Sequence, residues 1–205
     1  MRTRRDAAPP APSWHHEGMA VNITGDADAD ALLDSSPFAL LVGMLLDQQV
    51  PMETAFAGPA KLRDRLGELE PAQVAALDPD RLAEVMKQSP AVHRFPGSMA
   101  GRVQALAAAI VDEWGGDTAA IWTRDEPSGA EVLRRLKALP GFGEQKAKIF
   151  LALLGKQKDL KAPGWREAAG DYGADGYRSV ADIVDADSLA RVREHKRAMK
   201  AAAKG

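Results

Sequence analysis

The chain has 205 residues, with 27 Lys and Arg against 29 Asp and Glu, a net charge of −2, and no cysteine. That length suits one medium domain or two small lobes sharing a core, and the missing thiols exclude disulfides, zinc sites built on thiolates and any Cys-ligated iron–sulfur cluster. Hydrophobic residues make up 45% and charged residues 27%, the balance of a soluble globular protein, and Ala, Leu, Arg and Glu with few β-branched runs predict an all-α fold. The basic start, Met1-Arg2-Thr3-Arg4-Arg5, is followed by Pro9, Pro10 and Pro12 and not by an apolar stretch, so it does not read as a signal peptide. Residues 1–20 read as loosely attached. Asp26 to Asp34 is polar and acidic. Asp34, Ser35 or Ser36 can cap a helix with Pro37 in its first turn, running Phe38 to Gln48. This run is apolar on nearly every side, which marks a buried central helix, and it is too short to span a bilayer. Pro51 is expected to end it.

A second helix follows over Glu53 to Leu66, stopped by Gly67. Pro71 to Leu77 and Asp80 to Lys87 read as two short helices, and Ser89 to Gly97 as a loop. Ser98 is expected to cap a long helix from Met99 to Trp114, with Gly115 and Gly116 as its stop. Ser128 caps a helix whose apolar residues fall at helical spacing up to Ala138. Past Gly155, Pro163 to Ala169 reads as a short helix and Tyr172 to Tyr177 as a turn-rich loop. Ser179 to Val184 and Asp187 to Ala203 read as helical. The domain is therefore expected over 21–190, with a basic helical tail over 191–205. That tail holds Arg191, Arg193, Lys196, Arg197, Lys200 and Lys204 against Glu194 alone. Lys156, Lys158 and Lys161 form a second basic cluster, and together the two suggest a basic face on a neutral protein.

The densest signal is Leu139-Pro140-Gly141-Phe142-Gly143 between two amphipathic segments. Pro140 stops the first helix, and Gly141 and Gly143 can take backbone angles closed to other residues. Ala147, Phe150, Leu151 and Leu154 set the buried side of the second helix. Its uncapped N–H groups leave the turn as an anion site suited to a phosphate, with Lys146 and Lys148 adding positive charge.

This helix–turn–helix segment resembles the DNA-binding hairpin of the helix-hairpin-helix DNA glycosylases, the HhH-GPD family. Two further segments match in the same order. Leu45-Leu46-Asp47-Gln48-Gln49 is similar to the segment that places a polar amide against the duplex where a base has left the stack. The resemblance makes Gln49 that probe and Gln48 its neighbour, a role for which an amide's donors and acceptors suit it. Arg94 to Arg102 looks like the loop-to-helix step before the family's long middle helix. The resemblance implies a two-lobed helical fold, duplex DNA as partner and Leu139 to Gly143, Lys146 and Lys148 as DNA contacts. It also implies a possible monovalent cation on the hairpin backbone and no other cofactor. The protein is expected to be cytoplasmic and monomeric.

Two positions carry the chemistry in this family. Bifunctional members attack the sugar with a lysine just past the hairpin glycine. Here that position is Gln145, and Lys146 is turned about 100° from it along the helix. A monofunctional hydrolysis by water is therefore expected. The catalytic aspartate, which stabilises the cationic sugar and activates water, would fall on Pro163 to Trp165, where there is no acid. Asp171, brought in by a short insertion, is the candidate; Asp159, among lysines, reads as an ion-pair partner. Trp165 reads as a core anchor, with stacking on an extruded base as the alternative. His15, His16, His93 and His195 have no metal-ligand spacing. The rival readings are a lesion-binding or architectural DNA protein without chemistry, and a helical interaction domain unrelated to DNA.

Overall fold

The computed structural model describes residues 21–202. Residues 1–20, expected to be loosely attached, and 203–205 at the end of the basic tail lie outside them. Among the described residues there are eleven α-helices and no strand: α1 (Ala27–Ser35), α2 (Pro37–Leu46), α3 (Met52–Leu66), α4 (Pro71–Ala76), α5 (Pro79–Lys87), α6 (Pro96–Trp114), α7 (Ala120–Thr123), α8 (Gly129–Ala138), α9 (Glu144–Gln157), α10 (Trp165–Ala169) and α11 (Ala186–Ala202). The all-α expectation holds. No single helix among the described residues is long and apolar enough to cross a membrane.

Two helices govern the packing. In α2 every residue from Phe38 to Leu46 is buried, and the helix packs against α1, α3, α6 and α9. In α9 the buried residues include Ala147, Phe150, Leu151 and Leu154, the spacing seen in the sequence. Helices α1 to α6 gather around α2, α3 and α6, whereas α8, α10 and the 3₁₀ turn Val180–Asp182 pack on α9. The two groups are the expected lobes, and the α2–α9 contact joins them.

Capping explains most boundaries. Ser36 is the cap of α2 and accepts the Ala39 N–H. Ser128 caps α8 and Gly115 closes α6 in the left-handed region. Several elements differ from the sequence reading: α10 begins at Trp165 and not at Pro163, Ser179 to Val184 holds only the 3₁₀ turn Val180–Asp182, and α7 has no counterpart in it. Helix α2 stops at Leu46, and Pro51 instead precedes α3 as its N-cap. Helix α6 starts at Pro96, so Ser98 lies inside its first turn; proline fits a helix start because its missing N–H has no partner there anyway. The acidic stretch 26–34 is helix α1, capped by Asp26. Its Asp30 is buried and accepts from the Ile23 and Thr24 backbone N–H groups, which anchors the chain ahead of the helix.

Of the lysine cluster past the hairpin, Lys156 and Lys158 are drawn into the structure and Lys161 stays exposed. Lys156 pairs with buried Asp182 and donates to the Ala174 carbonyl. Lys158 reaches back to Asp34 and so ties the two lobes together. Lys161 pairs with Asp159, the role expected of that acid. Gln157 is buried and donates to the carbonyls of Val180, Ala181 and Ile183. Trp165 is the anchor: a Cβ added to Gly155 would come within 2.4 Å of its ring, and one added to Gly129 within 2.3 Å of its Cα. These contacts set the half-buried indole against α9 and the Trp165 backbone against α8, in the C-terminal lobe.

Candidate nucleic-acid interface

The hairpin joins α8 to α9 with its apolar residues turned inward. Leu139 and Phe142 are both buried, and the Phe142 ring meets Phe150 edge to face with centroids 6.0 Å apart. These two side chains hold the turn in place. The surface of the turn is backbone: Gly141 and Gly143 are exposed, and Pro140 is half-buried. Gly141 has φ +81°, open mainly to glycine, and an added Cβ would lie 2.4 Å from Leu45 Cδ1. Gly143 departs from the expectation. Its φ of −75° is available to any residue, and a Cβ there would meet nothing within 4 Å. Its lack of a side chain therefore serves no internal packing.

Gly143 is also the N-cap of α9, and no side chain caps that helix. The leading N–H groups of α9 thus emerge beside exposed Gly143, Glu144 and Gln145, the arrangement that attracts an anion. Two expected cations there are engaged. Lys148 pairs with Glu144 at 2.8 Å, and Lys137 reaches the same carboxylate at 3.3 Å. Lys146 turns away from the hairpin surface: its ammonium donates to the Leu45 carbonyl at 2.9 Å, at the end of α2. Burial pulls its pKa down to about 8, with the Asp47 carboxylate opposing and Arg102 adding to the fall.

The end of α2 is a network built around one turn. Gln48 donates from Nε2 to the Leu45 carbonyl at 2.8 Å and accepts from Arg102 Nη1 at 2.9 Å. Its backbone carbonyl meets His93 Nε2 at 2.9 Å. His93 Nδ1 accepts the Phe95 N–H at 3.0 Å, so the ring proton sits on Nε2 and is donated to Gln48. Every polar group of the Gln48 side chain is therefore spent on holding the turn. Gln49 is the opposite case. It is exposed, its φ of 58° is in the left-handed region, and its amide has no hydrogen-bond partner among the described residues. A non-glycine residue in that region costs stability and is a mark of functional sites. His93 also positions Phe95, an exposed aromatic at 43% accessibility on the same loop. Phe95 lies in the Arg94 to Arg102 segment that the sequence singled out, but His93 carried no sequence signal, since its pairing with Gln48 spans 45 residues.

On the other side of the hairpin, Gln145 Nε2 donates to the Tyr172 hydroxyl at 2.9 Å. This brings the 3₁₀ turn Gly170–Tyr172, and with it Asp171, to the start of α9. Asp171 is exposed, and its charge acts on Lys148. No group of three or more His, Asp or Glu side chains among the described residues could hold a metal ion. A shallow depression lined by Ser36, Glu70 and Thr118 lies at the start of α2, at the other end of that helix from the hairpin.

No curated protein matches the chain. The family model for HhH-GPD superfamily base excision DNA repair proteins matches residues 42–204. That span takes in α3 to α11, with the hairpin, the Gln48-Gln49 turn and the second half of α2. The chain belongs to the HhH-GPD superfamily of base excision DNA repair proteins.

Proposed function

We propose that the protein is a monofunctional DNA N-glycosylase that acts on a damaged or mismatched base in duplex DNA. One observation carries the reading: the uncapped start of α9 and the unpartnered Gln49 amide are exposed at one seam, joined through Leu45. The α9 N–H groups and the bare backbone at Gly143 take a phosphate. Gln49 enters the duplex and answers the orphaned base once its partner is extruded, and Phe95 offers a face for stacking beside it. With Gln145 where a nucleophilic lysine would stand, water attacks C1′ of the sugar. The glycosidic bond breaks, the base leaves with its electron pair, and a carboxylate takes the water's proton. Asp171 is our candidate for that carboxylate, supported by the Tyr172–Gln145 bond that ties its turn to the hairpin helix. A monovalent cation on the hairpin would rest on backbone carbonyls. Leu139 O already accepts the Phe142 N–H at 3.1 Å and retains a second lone pair for a cation.

The second reading is a lesion-binding protein without chemistry. It is favoured by the exposure of Asp171 and by the packing of Trp165, at the position expected for the acid, into the C-terminal lobe. Incubation with labelled duplexes carrying uracil, hypoxanthine, 3-methyladenine, 8-oxoguanine or a mismatch separates the two. Strand breakage only after hot alkali, lost in Asp171→Asn, is the expected result. A retained gel shift with no cleavage of any duplex would establish the binding-only reading, and absence of any DNA binding would refute both.

A further inference from the structure

Two acids bracket the Gln49 turn, Asp47 before it and Glu53 after it. Left bare, both would repel a phosphate backbone arriving at the turn. Neither is bare, and both partners come from α11. Lys196 Nζ lies 3.6 Å from Asp47 Oδ2, and Arg193 pairs with Glu53. The Asp47 side chain is only 13% exposed and that of Glu53 17%, whereas Lys196 and Arg193 remain 41% and 50% exposed. The acids are thus covered while the cations face outward.

Arg193 and Lys196 belong to a stripe that continues along α11. At about 100° per residue, Arg193, Lys196, Arg197 and Lys200 fall within roughly 100° of arc. Val192 and Ser188 are the buried residues that seat the helix. Arg197 and Lys200 are exposed, and among the described residues neither has a carboxylate partner. Arg191 points elsewhere, pairing with Asp187 and lying over the Tyr177 ring at 4.9 Å. From Arg193 to Lys200 the helix rises about 10 Å, the axial run of roughly three phosphates on one strand at about 3.4 Å each.

We propose that the Arg193–Lys196–Arg197–Lys200 stripe of α11 is a second contact for the sugar–phosphate backbone of duplex DNA, flanking the Gln49 turn. The proposal rests on the reading above that this turn and the hairpin engage duplex DNA. The inner pair neutralises the two acids beside the probe, and the outer pair meets phosphates. The hairpin and α11 then grip the backbone at two places, with Gln49 near both.

The test is the salt dependence of binding to a labelled, undamaged duplex of ordinary sequence. Each phosphate contact contributes about 0.9 to the slope of log affinity against log salt. Arg197→Ala/Lys200→Ala is expected to lower the slope by about 1.8 and to weaken binding roughly 60-fold at 0.1 M salt, with the two curves converging near 1 M. Arg191→Ala, off the stripe, is expected to keep the native slope. Both changes are at exposed positions, and an unchanged far-ultraviolet dichroism spectrum checks folding. Native affinity and slope in the double variant would overturn the proposal while leaving the hairpin reading intact. Failure of the native protein to bind the duplex would overturn both. Binding to phosphatidylserine vesicles in place of DNA, lost in the same double variant, would reassign the stripe to a membrane surface and overturn the proposal.

Discussion

Replacing Lys146 by methionine isolates the electrostatics of the seam between the hairpin and α2. Methionine keeps the length and apolar stem of lysine and removes the charge, and Gln48 still donates to the Leu45 carbonyl. In the native fold burial holds Lys146 at about 8 against an ordinary value of 10.5. At roughly 1.36 kcal/mol per pKa unit, that gap of ~2.5 sets an upper bound of about 3.4 kcal/mol. The residue is only half-buried, and solvent screening reduces the expectation to ~1–2 kcal/mol. Between pH 8 and 10.5 the unfolded chain keeps the proton that the folded chain has lost. Stability therefore rises with pH across that window, and the cost of the buried charge is fully present below it. The assay is urea unfolding of both proteins at intervals from pH 7 to pH 10.5. Lys61 is also lowered by burial, but subtracting the two curves removes its contribution. The native protein is expected to gain ~1–2 kcal/mol on Lys146→Met over the window. Parallel curves would refute the view that the Lys146 ammonium is held in a desolvated seam.

Four other substitutions test the frame around the site. Gly141→Ala is expected to cost about 1–2 kcal/mol in unfolding, because its φ of +81° is strained for alanine, whereas Gly143→Ala is expected to stay within ~0.5 kcal/mol of the native protein. Gel shifts on Gly143→Ala then isolate the approach of a phosphate to the bare backbone: affinity is expected to fall about tenfold, a loss of ~1.4 kcal/mol, and unchanged affinity would contradict that contact. Gly155→Ala pushes a methyl group into the Trp165 ring, and thermal unfolding should show a loss of roughly 1–3 kcal/mol. Asp182→Ala strands the Lys156 ammonium and uncaps the Arg178 and Ser179 N–H groups. It is expected to cost about 3 kcal/mol in chemical unfolding, and a loss below 1 kcal/mol would show that water replaces the pair.

The local pattern by itself determined most of the longer helices and the family; the acidic α1 and the four-residue α7 were not legible in it. The nearly continuous apolar run 38–46 specified a helix buried on all sides. Gly67, Gly115 and Ser128 specified ends because capping chemistry is local, whereas the sequence left the α2 cap open among Asp34, Ser35 and Ser36, and the structure selects Ser36. The order of the LLDQQ segment, the loop before α6 and the LPGFG hairpin named the HhH-GPD family. Tertiary structure alone decided what the charges do. Lys156, Lys158 and Lys161 look alike in sequence, yet the first two are tied to Asp182 and Asp34, which are distant along the chain. Lys146 and Lys148 sit two residues apart, yet one enters the seam and the other stays with Glu144. The split between Gln48, held through its side chain and its backbone carbonyl, and Gln49, left open, depends on His93 and Arg102, which lie 45 and 54 residues further along the chain. A charge takes its role from the partner it finds within a few ångströms, and most of these partners are brought together only by the packing of the apolar helices.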